Sequence, residues 1–307
     1  MPIALAPPLD AKRAELSGLA WDGDTLLLLS QYPEHFHGGA LFTLSKAAIE
    51  RWLGGDRSAP LEASTLAFEA PGVADKIEGY QGYEELLVAG DTAYLSLEGK
   101  GRDGRMRGYV VRASFDRARA KLRVDAETLI ELECPSAHDN IGYEALTAFR
   151  GELIAFYEAN GPSIVSRPCA FRVDVPAHSK TALTLFPLPY RITGATPADA
   201  AGRFWVTNVF WPGEPWLRDG DDPIARRFGK GPTHARSEGV ERLVELRVDP
   251  AAGVVRTEAP PVSLALRPDG KIRNWEGIAR LDDRGFLIVS DEHPTTIFAF
   301  VPLERRP

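Results

Sequence analysis

The sequence has few residues of the kinds that form disulfides, zinc sites or membrane spans. It contains two cysteines, two methionines and six histidines in 307 residues. At most one disulfide can form, between Cys134 and Cys169, and reduced thiols are the preferred interpretation. No histidine, cysteine and aspartate spacing matches a zinc site. No apolar run approaches the roughly 18 residues that span a bilayer. The first eight residues do not form a secretion signal. We therefore predict a cytoplasmic protein without a membrane partner, with a removed upstream signal as the alternative.

Positive charge is not in excess either. Asp and Glu total 43 against 36 Lys and Arg, which gives a net charge of −7. Because binding to a phosphate backbone requires a basic surface, nucleic-acid polymers are disfavoured as partners. A hydrophobic content of 44% is sufficient for a sizeable core. The 28 glycines and 24 prolines are typical of many short strands separated by turns.

One pattern recurs five times along the chain. In its clearest copy, residues 273–292, two apolar runs flank the turn Asp282-Asp283-Arg284-Gly285, and an acid stands at each outer end. This pattern predicts a β-hairpin whose two outer ends meet at one edge of a sheet. The opening and closing residues are 14 positions apart in three copies and 15 in two. The pairs are Ser17 and Gln31, Glu84 and Glu98, Glu144 and Glu158, Thr193 and Asn208, and Glu276 and Asp291.

Repeated hairpins of this kind predict an all-β propeller that forms a single domain over residues 1–307. The opening residues are spaced by 67, 60, 49 and 83 positions, which favours five blades, with six as the alternative if a blade lies hidden between 208 and 276. Lone strands at 3–9 and 296–301 are expected to pair and to close the ring, since closure removes open sheet edges. Residues 45–53 form a predicted short helix, and residues 209–237 an inserted, lid-like loop.

The opening residues are expected to line the mouth of the central channel together. Three crowded carboxylates would repel one another or take up protons unless a cation neutralises them. Ca²⁺ accepts carboxylate and hydroxyl oxygens in flexible geometry, so we predict a calcium site, with Mg²⁺ as the alternative ion. The competing interpretation is that the glutamates bind backbone N–H groups of neighbouring blades or a basic rim. The predicted ligands are Ser17, Glu84, Glu144, Thr193 and Glu276.

The order Ser, Glu, Glu, Thr, Glu, with one residue per blade, resembles the central calcium site of the calcium-activated nucleotidases, or apyrases. The resemblance implies a five-bladed propeller that hydrolyses nucleoside di- and triphosphates. Thr193 is the one departure from the family pattern, and its hydroxyl keeps an oxygen ligand. The phrase Asn274-Trp275-Glu276-Gly277-Ile278 is also similar to phytase-like and gluconolactonase-type propellers, which place a glutamate at the same strand start.

The closing residues of the repeats are expected beside the ion. Glu98, Glu158 or Asp291 could deprotonate an attacking water, and the alternative is that these acids support the ligands. Around them we predict substrate contacts on the same face, from arginine forks that suit phosphate or carboxylate oxygens and from side chains that could stack or transfer protons. These residues are Arg105, Arg167, Arg273, His35 and Trp211. The alternatives are that the arginines are solvated at loop tips, that the tryptophan packs within the lid, and that the histidine has no part in binding.

Together these features predict a Ca²⁺-dependent hydrolase of a small anionic molecule, with a phosphoanhydride or phosphoester preferred. A lactonase or esterase of the gluconolactonase type is the second enzyme hypothesis. A non-catalytic propeller with a structural ion, binding a peptide or metabolite, is the alternative from another class, because fold alone does not decide function. The oligomeric state is not predicted.

Overall fold

Short antiparallel strands account for most of the regular structure. The computed structural model describes residues 1–11, 14–218, 220–291 and 295–303. After β1 (Pro2–Ile3), blade 1 contains β2 (Leu16–Asp22), β3 (Thr25–Ser30), β4 (Ala40–Ser45) and β5 (Ser64–Glu69), and blade 2 contains β6 (Tyr80–Ala89), β7 (Thr92–Lys100), β8 (Met106–Asp116) and β9 (Lys121–Glu133). Blade 3 contains β10 (Ala145–Phe149), β11 (Glu152–Phe156), β12 (Cys169–Asp174) and β13 (Ser179–Thr184).

The last two groups follow the same order. Blade 4 contains β14 (Arg191–Ala195), β15 (Arg203–Phe210), β16 (Val240–Asp249) and β17 (Gly253–Arg256), with β18 (Val262–Ser263) as an extra strand on β16. Blade 5 contains β19 (Trp275–Leu281), β20 (Gly285–Ser290) and β21 (Ile297–Pro302), and β1 is its fourth strand. The five repeats of the sequence are the first hairpin of each group. The prediction of an all-β propeller is confirmed.

Helices are short and lie in the connections. The helix α1 (Lys46–Leu53) begins after Ser45, whose Oγ accepts a 3.2 Å hydrogen bond from the backbone N–H of Ala48, as the sequence predicts. The helix α2 (Pro223–Phe228) lies between β15 and β16. The 3₁₀ helices are Pro33–His35, Ala74–Lys76, Arg117–Arg119, Pro215–Leu217 and His234–Arg236. In the part of the chain that is described, no helix is long and apolar enough to cross a membrane.

Apolar side chains between neighbouring blades hold the ring together. The core divides into five clusters, one for each pair of adjacent blades, including the pair formed by blades 5 and 1. Buried aromatic residues anchor several of these interfaces, among them Phe42 and Phe298 between blades 5 and 1 and Phe156 and Phe204 between blades 3 and 4. Each blade therefore buries one face against each neighbour, and hydrophobic burial stabilises the ring as a whole.

The outer edges of two blades are also joined. The strands β5 and β9 pair in parallel, from Ala67 opposite Lys121 to Glu69 opposite Arg123, which merges blades 1 and 2 into one eight-stranded sheet. Glu69 forms ion pairs with both Lys121 and Arg123 across this junction. Pairing at the outer edge leaves fewer unpaired strand edges, which are the sites at which sheets aggregate.

The segment between Phe210 and Val240 carries α2 and two of the 3₁₀ helices, and it is packed onto the body of the propeller. Leu217, Ile224 and His234 are buried in it. The Trp216 ring stacks on His138 at 4.2 Å between ring centroids, with an angle of 8° between their planes. Whether residues 209–237 act as a lid stays a prediction.

The N-terminal strand completes blade 5, as the sequence predicts, but it covers Pro2–Ile3 and not residues 3–9, because a turn follows at residues 7–10. Pro2 pairs with Ala299 and Ile3 with Phe298, and the backbone N–H of Phe300 donates a 2.8 Å hydrogen bond to the carbonyl of Met1. The Ile3 side chain is 3% exposed and belongs to the cluster between blades 5 and 1. The first and last strands of the chain are thus held in the same sheet.

We expect Ile3→Ala to lower the free energy of unfolding by about 2 to 5 kcal/mol, because it removes buried apolar contacts at the closure point. Pro2→Ala is the matched control, since Pro2 lies in the same strand but is exposed. Urea unfolding followed by far-UV circular dichroism measures both changes. Equal stabilities of the two variants would contradict the importance of this closure.

Candidate functional site

The opening residues of the repeats lie at irregularities in their hairpins. The regular pairing is interrupted around Ser17, Glu84, Thr193 and Glu276, and Glu144 directly precedes the strand β10. A β-bulge places two residues opposite one, and it redirects the side chain at that point. The side chains at these irregularities therefore depart from the alternation between the two faces of the sheet that the rest of each strand follows.

Five glutamates and one aspartate form an acidic cluster that spans blades 2, 3 and 5. Four of the glutamates keep a narrow exposed fraction of 4% to 8%, whereas Glu158 is fully buried at 0%. Asp291 is half-buried. The cluster contains Glu84, Glu98, Glu144, Glu158, Glu276 and Asp291, so the structure brings the three predicted glutamate ligands and the three predicted catalytic acids together.

One buried arginine supplies the countercharge. Arg191 Nη1 lies 2.7 Å from Glu158 Oε1, and its Nη2 donates a 2.6 Å hydrogen bond to Glu214 Oε1. Burial alone would lower the pKa of Arg191, but the charges of Glu158, Glu144 and Glu214 raise it. The guanidinium therefore stays protonated. Among the described residues, Arg191 is the one cation paired with a cluster acid, so the carboxylates exceed the positive charge there.

The acids at the last hairpin share a single amide. Asn274 Nδ2 donates to Glu276 Oε1 at 2.6 Å and to Asp291 Oδ2 at 3.0 Å. The backbone N–H of Asp291 returns a 3.2 Å hydrogen bond to the carbonyl of Asn274. The opening and closing acids of this repeat are neighbours, as the hairpin pattern predicts, and Asn274 fixes their separation.

Several acceptor atoms of the cluster have no hydrogen-bond donor within the described ranges. They are Glu98 Oε1, Glu144 Oε2 and Glu158 Oε2, each of them buried. A buried acceptor without a partner has lost its hydrogen bonds to water. This costs about 1 to 3 kcal/mol of stability, and more for a charged group. These oxygens are available to a positively charged ligand.

Burial and mutual repulsion raise the pKa values of the acids. Burial raises the pKa of Glu84 to about 8, with the charges of Glu158 and Asp291 adding to the effect and the hydrogen bond from Gln31 opposing it. Burial raises the pKa of Glu158 to about 7 in spite of Arg191. Burial also raises the pKa values of Glu98, Glu144 and Glu276 well above the usual range. Without a further cation, the cluster holds protons near neutral pH.

The two hydroxyl residues of the predicted ring make bonds between blades. Ser17 Oγ donates to the carbonyl of Tyr83 at 2.9 Å. Thr193 Oγ1 donates to the carbonyl of Trp275 and lies 2.8 Å from Thr207 Oγ1. Their lone pairs can still face an ion, but their hydroxyl protons are already used to connect neighbouring blades.

Glu85 is a buried acid that the sequence interpretation overlooked. Its Oε1 accepts a 2.9 Å hydrogen bond from the backbone N–H of Leu86, and its Oε2 accepts one at 3.4 Å from Ala195 in blade 4. A further backbone bond comes from Leu19 in blade 1. Glu85 therefore connects three blades. The signal in the sequence is the consecutive pair Glu84-Glu85, which a regular strand would point to opposite faces.

Gly142 permits the close approach of Glu98. A Cβ at position 142 would lie 1.6 Å from Glu98 Oε1. The carbonyl of the same glycine accepts a 2.8 Å hydrogen bond from the N–H of Glu158. The absence of a side chain at Gly142 thus lets a carboxylate from blade 2 enter the cluster beside blade 3.

The basic loop over residues 99–107 is largely neutralised by its neighbours. Lys100 lies 2.8 Å from Asp139, Arg102 2.9 Å from Glu78, and Arg107 2.9 Å from Asp103. Arg105 and Arg167 are exposed and form no ion pair within the described residues. Of the cations expected around the mouth, these two are the ones available to a soluble anion.

The other predicted substrate contacts lie in different surroundings. Arg273 is 2.6 Å from the buried Glu241 and lies over the Trp275 ring at 4.8 Å, so its guanidinium is engaged within the protein. His35 is exposed and stacks on Tyr32 at 5.1 Å. Trp211 is 55% exposed. The roles of these residues in binding stay predictions.

The chemistry of the acidic cluster fits a hard cation, because carboxylates are in excess and buried oxygens lack donors. Within the described residues, no three His, Cys, Asp or Glu side chains are already arranged to hold a metal ion. Coordination would therefore require rotation of the glutamate side chains. The Ca²⁺ prediction stays a prediction, as does its Mg²⁺ alternative.

Comparisons with known proteins support the fold alone. No protein-family model matches the chain, and no curated protein matches it. Among solved structures, the GH43 BlXynB protein of Bacillus licheniformis is similar at 7% identity and a TM-score of 0.53, covering 99% of this chain and 55% of that one. The GH43 endo-arabinanase of Bacillus licheniformis is similar at 12% identity and a TM-score of 0.50, covering 97% of each chain.

A bifunctional GH43-CE protein of Bacteroides eggerthii is similar at 12% identity and a TM-score of 0.52, over all of this chain and 35% of that one. This chain spans about half or less of two of these three structures. The GH43 structures are five-bladed propellers, so the propeller part of the resemblance is supported, whereas the apyrase-like assignment is not.

We expect the protein without divalent cations to become less stable as the pH rises from about 5 to about 8. The pKa values of Glu84 and Glu158 are higher in the folded than in the unfolded chain. The folded state therefore binds more protons in this range, and its stability is lost as those protons dissociate. Thermal unfolding in EDTA at several pH values measures the effect. A melting temperature that rises through this range would contradict the assignment of raised pKa values.

Proposed function

We propose that the acidic cluster at the channel mouth binds one divalent cation, with Ca²⁺ preferred over Mg²⁺, and that the protein is a cation-dependent hydrolase of a small anionic molecule. The observation that supports this proposal is the excess of buried carboxylates over the single arginine Arg191. Hard cations with oxygen ligands balance such an excess without a demand for strict geometry.

The ligands would come from the opening residues. Glu144 and Glu276 are each 8% exposed, the largest fraction among the clustered glutamates. Glu84 is 5% exposed, and Gln31 Nε2 donates to its Oε1 at 3.2 Å. The oxygens of Ser17 and Thr193 would complete the set. When bound, a calcium ion would orient the substrate and polarise a phosphoryl or carbonyl oxygen.

Among the three predicted catalytic acids, Asp291 is best placed to accept a proton from water. Glu158 is fully buried and paired with Arg191, and Glu98 is 4% exposed. Asp291 is half-buried, and Asn274 holds its carboxylate in a fixed position. A general base must reach the reacting water, which favours the more exposed acid. Glu158 and Glu98 then support the electrostatics of the cluster.

The choice of substrate class rests on two arginines that the sequence predicts on the same face as the cluster. The exposed Arg105 and Arg167 are free to contact an anion, and arginine suits the oxygens of phosphate and carboxylate groups. A phosphoanhydride or phosphoester is therefore the first choice. A lactone or ester, in which the ion would polarise a carbonyl, is the second. If both fail, the remaining outcome is a propeller with a structural ion whose channel mouth binds a metabolite without turnover.

A second reaction class has its own supporting observation. Glu158 lies against the Arg191 guanidinium, which favours its ionised form, whereas Glu84 accepts a hydrogen bond from the neutral amide of Gln31, so the two acids have different surroundings. Two carboxyl groups in different protonation states are the requirement for glycoside hydrolysis. Because the chain is similar in fold to GH43 propellers, glycosides are included among the substrates to be tested. Turnover that persists in EDTA would favour it over the cation-dependent reaction.

The experiment is phosphate release from nucleoside di- and triphosphates and simple phosphoesters, with and without Ca²⁺. We expect Asp291→Asn to slow turnover by about 10² to 10⁴-fold, since a general base contributes about that factor, while the calcium-induced rise in melting temperature remains. Glu144→Gln should reduce both turnover and that rise, because it removes a ligand charge without changing the side-chain shape.

Glu152→Gln is the matched control. Glu152 lies in the same blade as Glu144 but at the opposite end of the hairpin, where it pairs with Arg172 at 3.0 Å. Both properties should stay at the wild-type level in this variant. If no phosphate appears although Ca²⁺ stabilises the protein, the phosphatase proposal is wrong, and lactone and aryl glycoside panels follow. If Ca²⁺ neither stabilises nor activates, the cation proposal is wrong.

A further inference from the structure

A cavity lined by none of the acidic-cluster residues lies beneath the segment that connects β15 to β16. Its volume is about 80 Å³. A single buried water needs roughly 10 to 15 Å³ on this measure, so the cavity accommodates a small organic molecule. The lining residues on which the argument depends are Tyr190, Ala225, Lys230, Val240, Arg242 and Pro261.

Arg242 supplies a charged donor in the wall of this cavity. It is 5% exposed, its Nη1 donates to Asp222 Oδ2 at 2.8 Å, and its Nε donates to Asn208 Oδ1 at 2.7 Å. Its Nη2 has no hydrogen-bond partner within the described residues. A buried donor of a charged group that lacks an acceptor is costly, so an acceptor in the cavity would stabilise this arrangement.

The local charge balance favours an anion. The carboxylate of Asp222 is occupied by Arg242, and Glu238 is 2.8 Å from Arg218 at the surface. Lys230 lines the cavity, is exposed, and forms no ion pair in the part of the chain that is described. Two cations and two carboxylates line the cavity, and because Glu238 is also paired with Arg218 outside the lining, Lys230 is left available to an anion. The pKa of the neighbouring His234 is lowered, chiefly by burial and then by Arg242, so this ring adds no further charge.

Part of the remaining wall is apolar. Ala225 of α2, Val240 at the start of β16 and Pro261 lie along it, and the Arg242 guanidinium lies over the Tyr190 ring at 5.5 Å from the ring centroid. Binding sites for small molecules combine apolar walls with a few fixed polar groups that orient the ligand. Here the polar group is at the Arg242 end.

We propose that this cavity binds a short-chain organic carboxylate, with its carboxylate at Arg242 Nη2 and Lys230 and its alkyl chain against Tyr190, Val240 and Pro261. The site is separate from the acidic cluster, and the inference does not depend on the function proposed for that cluster. A carboxylate oxygen can accept from Nη2, the one Arg242 nitrogen without a partner among the described residues, and the apolar part of the wall favours a ligand with a short chain over a bare inorganic ion.

Calorimetric titration of the full-length protein with propionate tests the site, with propionamide as the neutral analogue and inorganic phosphate as the anion without a chain. We expect saturable binding of propionate, weaker binding of phosphate and none of propionamide. Ala225→Leu should abolish binding because it fills the cavity. Lys230→Ala should weaken binding about two- to fivefold, the contribution of an exposed ion pair.

Two variants serve as controls. Ala235→Leu adds the same side chain at an exposed position of the same segment, and Arg236→Ala removes a nearby exposed positive charge, and neither residue lines the cavity. Both should bind propionate as the wild type does. The proposal is overturned if wild type does not bind propionate, if Lys230→Ala binds as tightly as Arg236→Ala, or if phosphate or propionamide binds as tightly as propionate. Because Lys230 is exposed, its variant is informative even if Ala225→Leu fails to fold.

Discussion

The desolvation of several carboxylates where blades 2, 3 and 5 converge is the constraint on which the candidate site depends. Glu84, Glu98, Glu144, Glu158 and Glu276 are removed from water by the same convergence of blades that builds the apolar core. Arg191 compensates only part of their charge. A buried charge must be paired, neutralised by a proton, or bound to a cation. The chemistry of the site follows from which of these takes place at a given pH and cation concentration.

The fold and the site are connected by the bulges at the starts of the innermost hairpins. Apolar alternation along each strand fills the clusters between blades, and the interruption around residues such as Glu84 and Glu276 turns single side chains away from that pattern. Small residues make the resulting crowding possible, as Gly142 does for Glu98. Ring stability and site geometry are therefore set by the same short stretches of sequence.

Much of the fold could be predicted from the sequence, because hairpin repeats and turn residues are local signals. The closing strand at Ile3 and the helix after Ser45 follow from such signals. The convergence of Glu84, Glu144 and Glu276 was also predictable, since repeated position in a ring implies proximity. Arg191 as the countercharge, Glu85 as a connector and Asn274 as the donor to two acids were not, because these roles depend on contacts between blades and on side-chain directions at bulges. The ion pairs that neutralise Lys100 and Arg107 were not predictable either, because they too depend on side-chain directions.

The measurement that tests the central claim most directly is calorimetric titration of EDTA-treated protein with Ca²⁺ at neutral pH, in two buffers that differ in ionisation enthalpy. If the acidic cluster is a cation site, one ion binds per chain, and protons are released, because the ion replaces protons held by the buried glutamates. Binding that releases no protons would contradict the account, because the ion would not be replacing protons on the buried glutamates. No binding at all would show that the buried acids are a structural core without a cation.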